Sequence, residues 1–188
     1  MKKISELYQL LNIPKFAIVD IETTGGNQDF NKIIEVAIII TDGKNILNEF
    51  HSLVNPNREI PEFITQLTQI DNEMVKNAPT YKDIAPKLYE LLSSACFVAH
   101  NVKFDYPFIK REFEQSGIKY ESEKYCTVKL GKKLLKLTSY RLDSICQHFG
   151  IIIENRHRAY GDALATAKVF HEYMKIIRDK LGVQQYLF

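Results

Sequence analysis

Two carboxylates stand one residue apart in an otherwise apolar run, Phe16-Ala17-Ile18-Val19-Asp20-Ile21-Glu22-Thr23-Thr24-Gly25-Gly26. The run reads as a buried strand closed by a turn. Residues i and i+2 of a strand project from one face, so Asp20 and Glu22 point the same way. Unpaired carboxylates beside an apolar sheet repel one another and lose hydration. A bound divalent cation would offset that cost, and an edge strand with both acids in water would avoid it. On this stretch alone both readings stand.

Two further segments put ionisable groups at the ends of apolar elements. In His100-Asn101-Val102-Lys103-Phe104-Asp105 a short apolar strand gives way to a helix. In His157-Arg158-Ala159-Tyr160-Gly161-Asp162 the chain enters its last helix. Asp105 and Asp162 each fall in a first helical turn, where the dipole favours an anion, and capping alone would account for either. Gly161 and Ala163 around Asp162 are small enough to let that helix approach the sheet closely. If all four carboxylates converge they carry a formal charge of about −4, one per ionised group. Two divalent cations would balance it, and oxygen-only ligation suits Mg²⁺ or Mn²⁺ rather than zinc. Such a pair, about 3.5–4 Å apart, can generate a hydroxide, hold a phosphodiester and stabilise the leaving oxygen. A histidine beside them could take the proton from the attacking water. His157 is the candidate, because it neighbours Asp162.

The elements that position these groups follow from hydrophobic period. Ile4, Leu7, Leu10 and Leu11 predict a short amphipathic helix ending near Pro14. After the acidic strand, residues 33–41 read as a second strand, Asp42-Gly43 as a tight turn, and residues 46–54 as a third strand, an antiparallel meander. Helices are predicted from Pro61 to Leu67 and from Tyr81 to Leu92, with Asp71 as an N-cap between them. Residues 95–99 form a short buried strand, and a helix runs from about Phe104 to Gln115, stopped by Gly117. A further short strand is expected over residues 125–128, with helices over 130–137 and 142–149. The final helix starts near Ala159 and buries Ala163, Ala167, Phe170, Met174 and Ile177. With no repeat and no linker, this is one α/β domain with a mixed sheet.

The chain of 188 residues is 45% hydrophobic and 26% charged, long enough to bury a sizeable core. A net charge of +2 excludes a polyelectrolyte binder, so any nucleic-acid contact must come from a local patch. Cys96, Cys126 and Cys146 are widely spaced in apolar surroundings, which suits reduced thiols in a cytoplasmic protein. No apolar run approaches the ~20 residues needed to span a bilayer. The N-terminus is basic but lacks the apolar core of a signal peptide.

The three segments, in this order, resemble the three motifs of the DEDDh 3′→5′ exonucleases, among them the proofreading epsilon subunits of bacterial DNA polymerase III. The resemblance runs from about Lys15 to Met174. It implies a ribonuclease H-like α/β fold, a central mixed five-stranded sheet flanked by helices. It divides the chain into an N-terminal helical extension (1–14), an exonuclease domain (15–178) and a C-terminal tail (179–188). Asp20, Glu22 and Asp162 would hold two divalent cations, Mg²⁺ or Mn²⁺, with Asp105 completing the acidic set and His157 as general base. Thr23, Asn101 and Phe104 would meet the substrate. Leu67-Thr68-Gln69-Ile70 resembles the family's Leu-Thr-Gly-Ile, which sets Leu67 and Ile70 against the terminal base; Gln69 departs from the glycine. The implied reaction is release of nucleoside monophosphates from single-stranded or frayed 3′ ends of DNA. An RNA-trimming enzyme of the same family and a non-catalytic adaptor are the alternatives.

Two weaker signals remain. Between Lys124 and Arg141 lie six basic residues and no acidic one, with Lys129, Lys132, Lys133 and Lys136 expected on one helix face. Such a face is either solvated or tracks phosphates. The tail Gln184-Gln185-Tyr186-Leu187-Phe188 resembles the peptides by which bacterial replication proteins dock on the sliding clamp, or it folds back on the domain. A DNA polymerase subunit is a further expected partner, although the chain ends soon after its final helix. No membrane contact is expected.

Overall fold

The computed structural model describes residues 2–182, with side chains from residue 7 onward. Helix α1 (Lys2–Leu11) leads into strand β1 (Phe16–Thr23), which carries the acidic pair, and β2 (Ile33–Thr41) and β3 (Ile46–Leu53) follow. Asp42 closes the turn between them by accepting from the amides of Lys44 and Asn45 at 2.7 and 2.6 Å. Next come α2 (Glu62–Thr68), α3 (Asn72–Lys76), α4 (Tyr81–Ser93), β4 (Cys96–Ala99) and α5 (Val102–Gln115). The chain continues through β5 (Lys124–Cys126), α6 (Thr127–Leu134), α7 (Leu142–Phe149) and α8 (Ala159–Lys180).

The five strands form one mixed sheet in the order β3-β2-β1-β4-β5. The first three pair antiparallel, as the meander predicts, and β4 and β5 join in parallel. Alternation along β1 divides the core. Ala17, Val19 and Ile21 face one cluster with residues of α4 and α5, whereas Phe16 and Ile18 face another with α1, α6, α7 and α8. Asp20 and Glu22 continue the Phe16–Ile18 parity and so emerge on the α8 side. A register shift between Glu22 and Thr23 interrupts the regular pairing, so the second acid is the last residue before the irregularity and Thr23 pairs with Ile33 beyond it.

Two expectations are corrected. Thr127 and Val128 open α6 rather than extend a strand, since a three-residue strand running into a helix has no distinguishing period. That shift leaves Lys136 beyond the helix. The Gln69 position, glycine in the resembling motif, is the left-handed C-cap of α2 (φ 60°, ψ 22°), a conformation that costs a non-glycine residue roughly 1–2 kcal/mol. Its place in the fold therefore explains the glycine. The proposed clamp peptide, Gln184–Phe188, lies outside the described residues.

Candidate active site

The parallel neighbours β1 and β4 deliver their carboxyl ends to one cleft, the usual place for a site in an open α/β sheet. The cleft, about 900 Å³, is lined by Asp20, Asp162, His157, His100, Asn101 and Arg156, together with Lys132, Tyr140 and Arg141. Asp20, Glu22 and Asp162 each offer a carboxylate oxygen, all within 4.8 Å of one another. Asp105 stands outside that trio. It comes from α5, whose apolar residues pack on the opposite face of the sheet, and it is buried.

The cluster is electrostatically unfavourable as it stands. Burial raises Asp20 well above the carboxylate range, and Asp105, Asp162 and Glu22 add repulsion. Burial, followed by the charges of Asp162, Glu35 and Asp105, pushes Glu22 up to about 8. Burial takes Asp105 to about 8 even though its own amide and that of Ile21 favour the charged form. Asp162 is raised by burial, against the pull of Arg156. The arginine's Nη1 donates to Asp162 Oδ2, and its Nε donates to Asp143 Oδ1 at 2.7 Å. Asp162 Oδ1 is buried without a hydrogen-bond partner among the described residues. Convergent carboxylates, one of whose buried oxygens is unpartnered, fit the oxygen donor set of a hard divalent cation, and Arg156 offsets part of their charge.

The profile of the exonuclease family RNase_T matches residues 17–170. The chain belongs to that family. It is 36% identical over 183 residues to the 3′-5′ exonuclease DinG of Staphylococcus aureus (strain USA300), covering 94% of this chain and 20% of that protein. The chain thus spans about a fifth of the length of the curated relatives it matches. Exonuclease X, solved with 5′ overhanging duplex DNA, has a TM-score of 0.70 at 26% identity, with 89% of this chain and 93% of that one covered. Two likenesses at 18% identity show the fold. Escherichia coli exonuclease I with a dT13 oligonucleotide has a TM-score of 0.77 over 90% of this chain and 42% of that one. The nuclease domain of 3′hExo, a DEDDh family member bound to rAMP, has a TM-score of 0.74 over 87% and 92%. The ribonuclease H-like fold, with its mixed five-stranded sheet, is the one expected from the motifs.

Within this exonuclease fold, His157 is held from both sides. It sits in the left-handed region at φ 62°, between two arginines that are themselves tied down. Arg156 is bound to Asp143 and Asp162, and Arg158 forks onto Glu35 through Nη2 at 2.6 Å and Nε at 3.1 Å. Glu35 is fully buried in β2, and it also accepts from the Ala159 amide at 2.7 Å and lies 2.8 Å from His51 Nε2. Burial opposes its charge, but the bonds from His51, Arg158 and Ala159 win and hold it down to about 2. Glu35 thereby anchors the start of α8 and the loop that carries His157. Glu35→Gln is expected to cost roughly 2–3 kcal/mol in chemical denaturation, because the half-buried Arg158 guanidinium loses its fully buried counter-charge. Since Glu35 is depressed, its contribution is present above the ordinary carboxylate range and is lost as pH falls toward about 2. An unchanged denaturation midpoint would refute the anchor.

Gly161 serves the same loop. A Cβ there would stand 1.8 Å from the Glu154 carbonyl oxygen and 3.0 Å from that of Asn155, both backbone atoms that cannot swing aside. Gly161→Ala must therefore displace either the loop or the first turn of α8. A loss of at least ~2 kcal/mol in stability, together with reduced catalysis, is expected in melting and turnover assays.

The substrate residues expected from the motifs divide by position. Asn101 lines the cleft as the left-handed N-cap of α5 (φ 71°), and Thr23 is buried with its hydroxyl donating to the Gly25 carbonyl at 2.8 Å. Leu67 is 49% exposed on α2, whereas Ile70 is fully buried with Ile34, Ile60, Ile64 and Val75. Ile70 therefore underpins α2 and does not share the exposed face of Leu67. Phe104 is half-buried and packs on Phe108, ring centroids 5.3 Å apart. Sequence reasoning gave no role to Arg156, Glu35 or His100. Burial and Arg156 lower His100 to about 4, and its Nδ1 is 2.8 Å from the Thr127 hydroxyl, so it lines the cleft as a neutral ring. The available signals were a charged residue inside an apolar strand, for Glu35, and adjacency to His157, for Arg156.

Proposed function

We propose that this chain is a metal-dependent 3′→5′ exonuclease that releases nucleoside monophosphates from unpaired 3′ ends of DNA. The observation that carries the reading is the carboxylate trio within 4.8 Å, with the unpartnered Asp162 oxygen and His157 on one cleft. Asp20, Glu22 and Asp162 would hold the cations, Mg²⁺ or Mn²⁺ and two in number, with Asp105 completing the negative field. Bound there, the cations supply an activated water and neutralise charge on the phosphoryl group. His157 accepts the proton of the attacking water on its imidazole. Lys132 and Arg141, which line the same cleft, offer positive charge to the backbone phosphates. Asn101, Thr23, Leu67 and Phe104 are assigned to the terminal nucleotide.

Support comes from the relatives' own chemistry: DinG is named a 3′-5′ exonuclease, and exonucleases I and X were solved with DNA. A second reading, RNA trimming, is favoured by the rAMP on 3′hExo. The test is digestion of matched DNA and RNA oligonucleotides, each labelled at the 3′ or the 5′ end, with Mg²⁺ and with EDTA. The expected result is immediate loss of the 3′ label as mononucleotide, a 5′-labelled ladder shortening stepwise, and no reaction in EDTA. Preference for the RNA series would establish the second reading. Absence of any product, with oligonucleotide binding retained, would establish the adaptor.

Other assignments belong to the same proposal. The division at residues 15–178 places α1 outside the catalytic domain, although Leu7, Leu10 and Leu11 pack into the α8 cluster. A cytoplasmic location is supported by three buried free cysteines. Among the described residues no helix is long and apolar enough to cross a membrane. Recruitment to a clamp or polymerase through Gln184–Phe188 predicts that deleting those residues removes clamp binding and spares turnover.

A further inference from the structure

We propose that a second groove, on the far side of α6 from the catalytic cleft, binds the phosphodiester backbone of the same strand a few nucleotides upstream of its 3′ end. The proposal rests on the exonuclease reading and gives it a strand path. Helix α6 carries basic residues on two sides. Val128 and Lys132 line the catalytic cleft, whereas Lys129 and Lys133 line a separate groove of about 780 Å³. Lys103 from α5 and Lys124 from β5 complete four ammonium groups drawn from three elements around one concavity. An α-helix is about 10–12 Å across with its side chains, so the two sites are a helix width apart.

Solvated lysines are the ordinary explanation for a basic helix face, and three observations argue against it here. Lys103 and Lys129 each sit in the first turn of their helix, the end at which the dipole disfavours a cation. Departures of this kind from local consistency mark functional surfaces. Lys103, Lys124 and Lys129 form no ion pair among the described residues. Among the described residues the one acid on the groove wall, Glu123, accepts from the Tyr125 hydroxyl at 3.0 Å. The floor is apolar and aromatic, and the Lys124 ammonium lies 4.2 Å from the Tyr106 ring centroid. Tyr106 and Tyr125 are buried beneath the lysines, so the groove offers charge to a phosphate backbone rather than ring faces to bases.

The experiment compares wild type with the double variant Lys124→Gln/Lys129→Gln in EDTA, by fluorescence anisotropy on a fluorescein-labelled dT15 and dT3, across a salt series. The double variant should bind dT15 about tenfold more weakly and dT3 unchanged. Its salt slope for dT15 should fall by about 1.4, at roughly 0.7 per lost phosphate contact on a single strand. Lys124→Arg/Lys129→Arg should restore both values. Hydrolysis of the p-nitrophenyl ester of thymidine 5′-monophosphate with Mn²⁺ should be equal in all three proteins. Equal dT15 affinity and slope in wild type and double variant would overturn the groove, as would equal weakening of dT15 and dT3. Failure of the wild type to hydrolyse the ester and dT3 would overturn the exonuclease reading instead, while the binding series still decides the groove.

Discussion

Asp20→Asn is expected to lower exonuclease turnover by ~10³-fold or more, about 4 kcal/mol, while raising the metal-free melting temperature by about 2–4 °C for each kcal/mol of repulsion relieved. The two effects have one origin. Asp20 is raised by burial first and then by Asp105, Asp162 and Glu22, so its carboxylate is held in an environment that disfavours charge. Removing it takes away a ligand of the proposed ion site and relieves repulsion in the empty one. The pH dependence follows in sign. Glu22 and Asp105 titrate at about 8 in the folded protein, above their ordinary range. The unfolded chain therefore ionises first, and stability present below the ordinary carboxylate range is lost as pH rises toward about 8. The metal-free protein should melt lower at pH 8 than at pH 5, and Asp20→Asn should flatten that slope. A variant that is as active as wild type, or whose melting temperature falls, would contradict the assignment.

The second large effect is expected at His157. Alanine is a poor probe there, because the left-handed backbone at φ 62° strains it, whereas asparagine tolerates that conformation. His157→Asn should lower kcat by ~10²- to 10⁴-fold with KM little changed, the signature of lost general-base catalysis. Stabilisation by Mn²⁺ should persist, because His157 is not among the proposed ligands. Free imidazole should restore part of the rate. Loss of Mn²⁺ stabilisation in this variant would move His157 from proton transfer to ion binding, and unaltered kcat would remove it from the site.

Much of this site is legible in the sequence because its parts are local. The strand period alone puts Asp20 and Glu22 on one face, and the Asp42-Gly43 turn marks β2 and β3 as an antiparallel pair. Asp162 is readable from the small residues around it, and the buried stripe of α8 from its helical period. What was not legible depends on pairing across the chain. Glu35 and Arg158 lie 123 residues apart, and nothing local says that a glutamate inside an apolar strand anchors the loop of a catalytic histidine. Arg156 looked like any loop arginine until the fold set it between Asp143 and Asp162. The full burial of Ile70 was not legible either, because an apolar residue reads the same whether it faces a ligand or a core. Lys129 and Lys132 seemed to share one face, and only the packing of α6 between two concavities separates them.

The central claim is that the repelling carboxylates form an ion site, and thermal melting at pH 8 against increasing MnCl₂, without substrate, tests it most directly. Binding to the folded state alone adds about 2.7 kcal/mol at a hundredfold excess over Kd, roughly 5–11 °C for a chain of this size. The wild type should rise by that amount, Asp20→Asn should not, and EDTA should return the wild type to its starting value. A flat wild-type curve, or an equal rise in Asp20→Asn, would contradict the account.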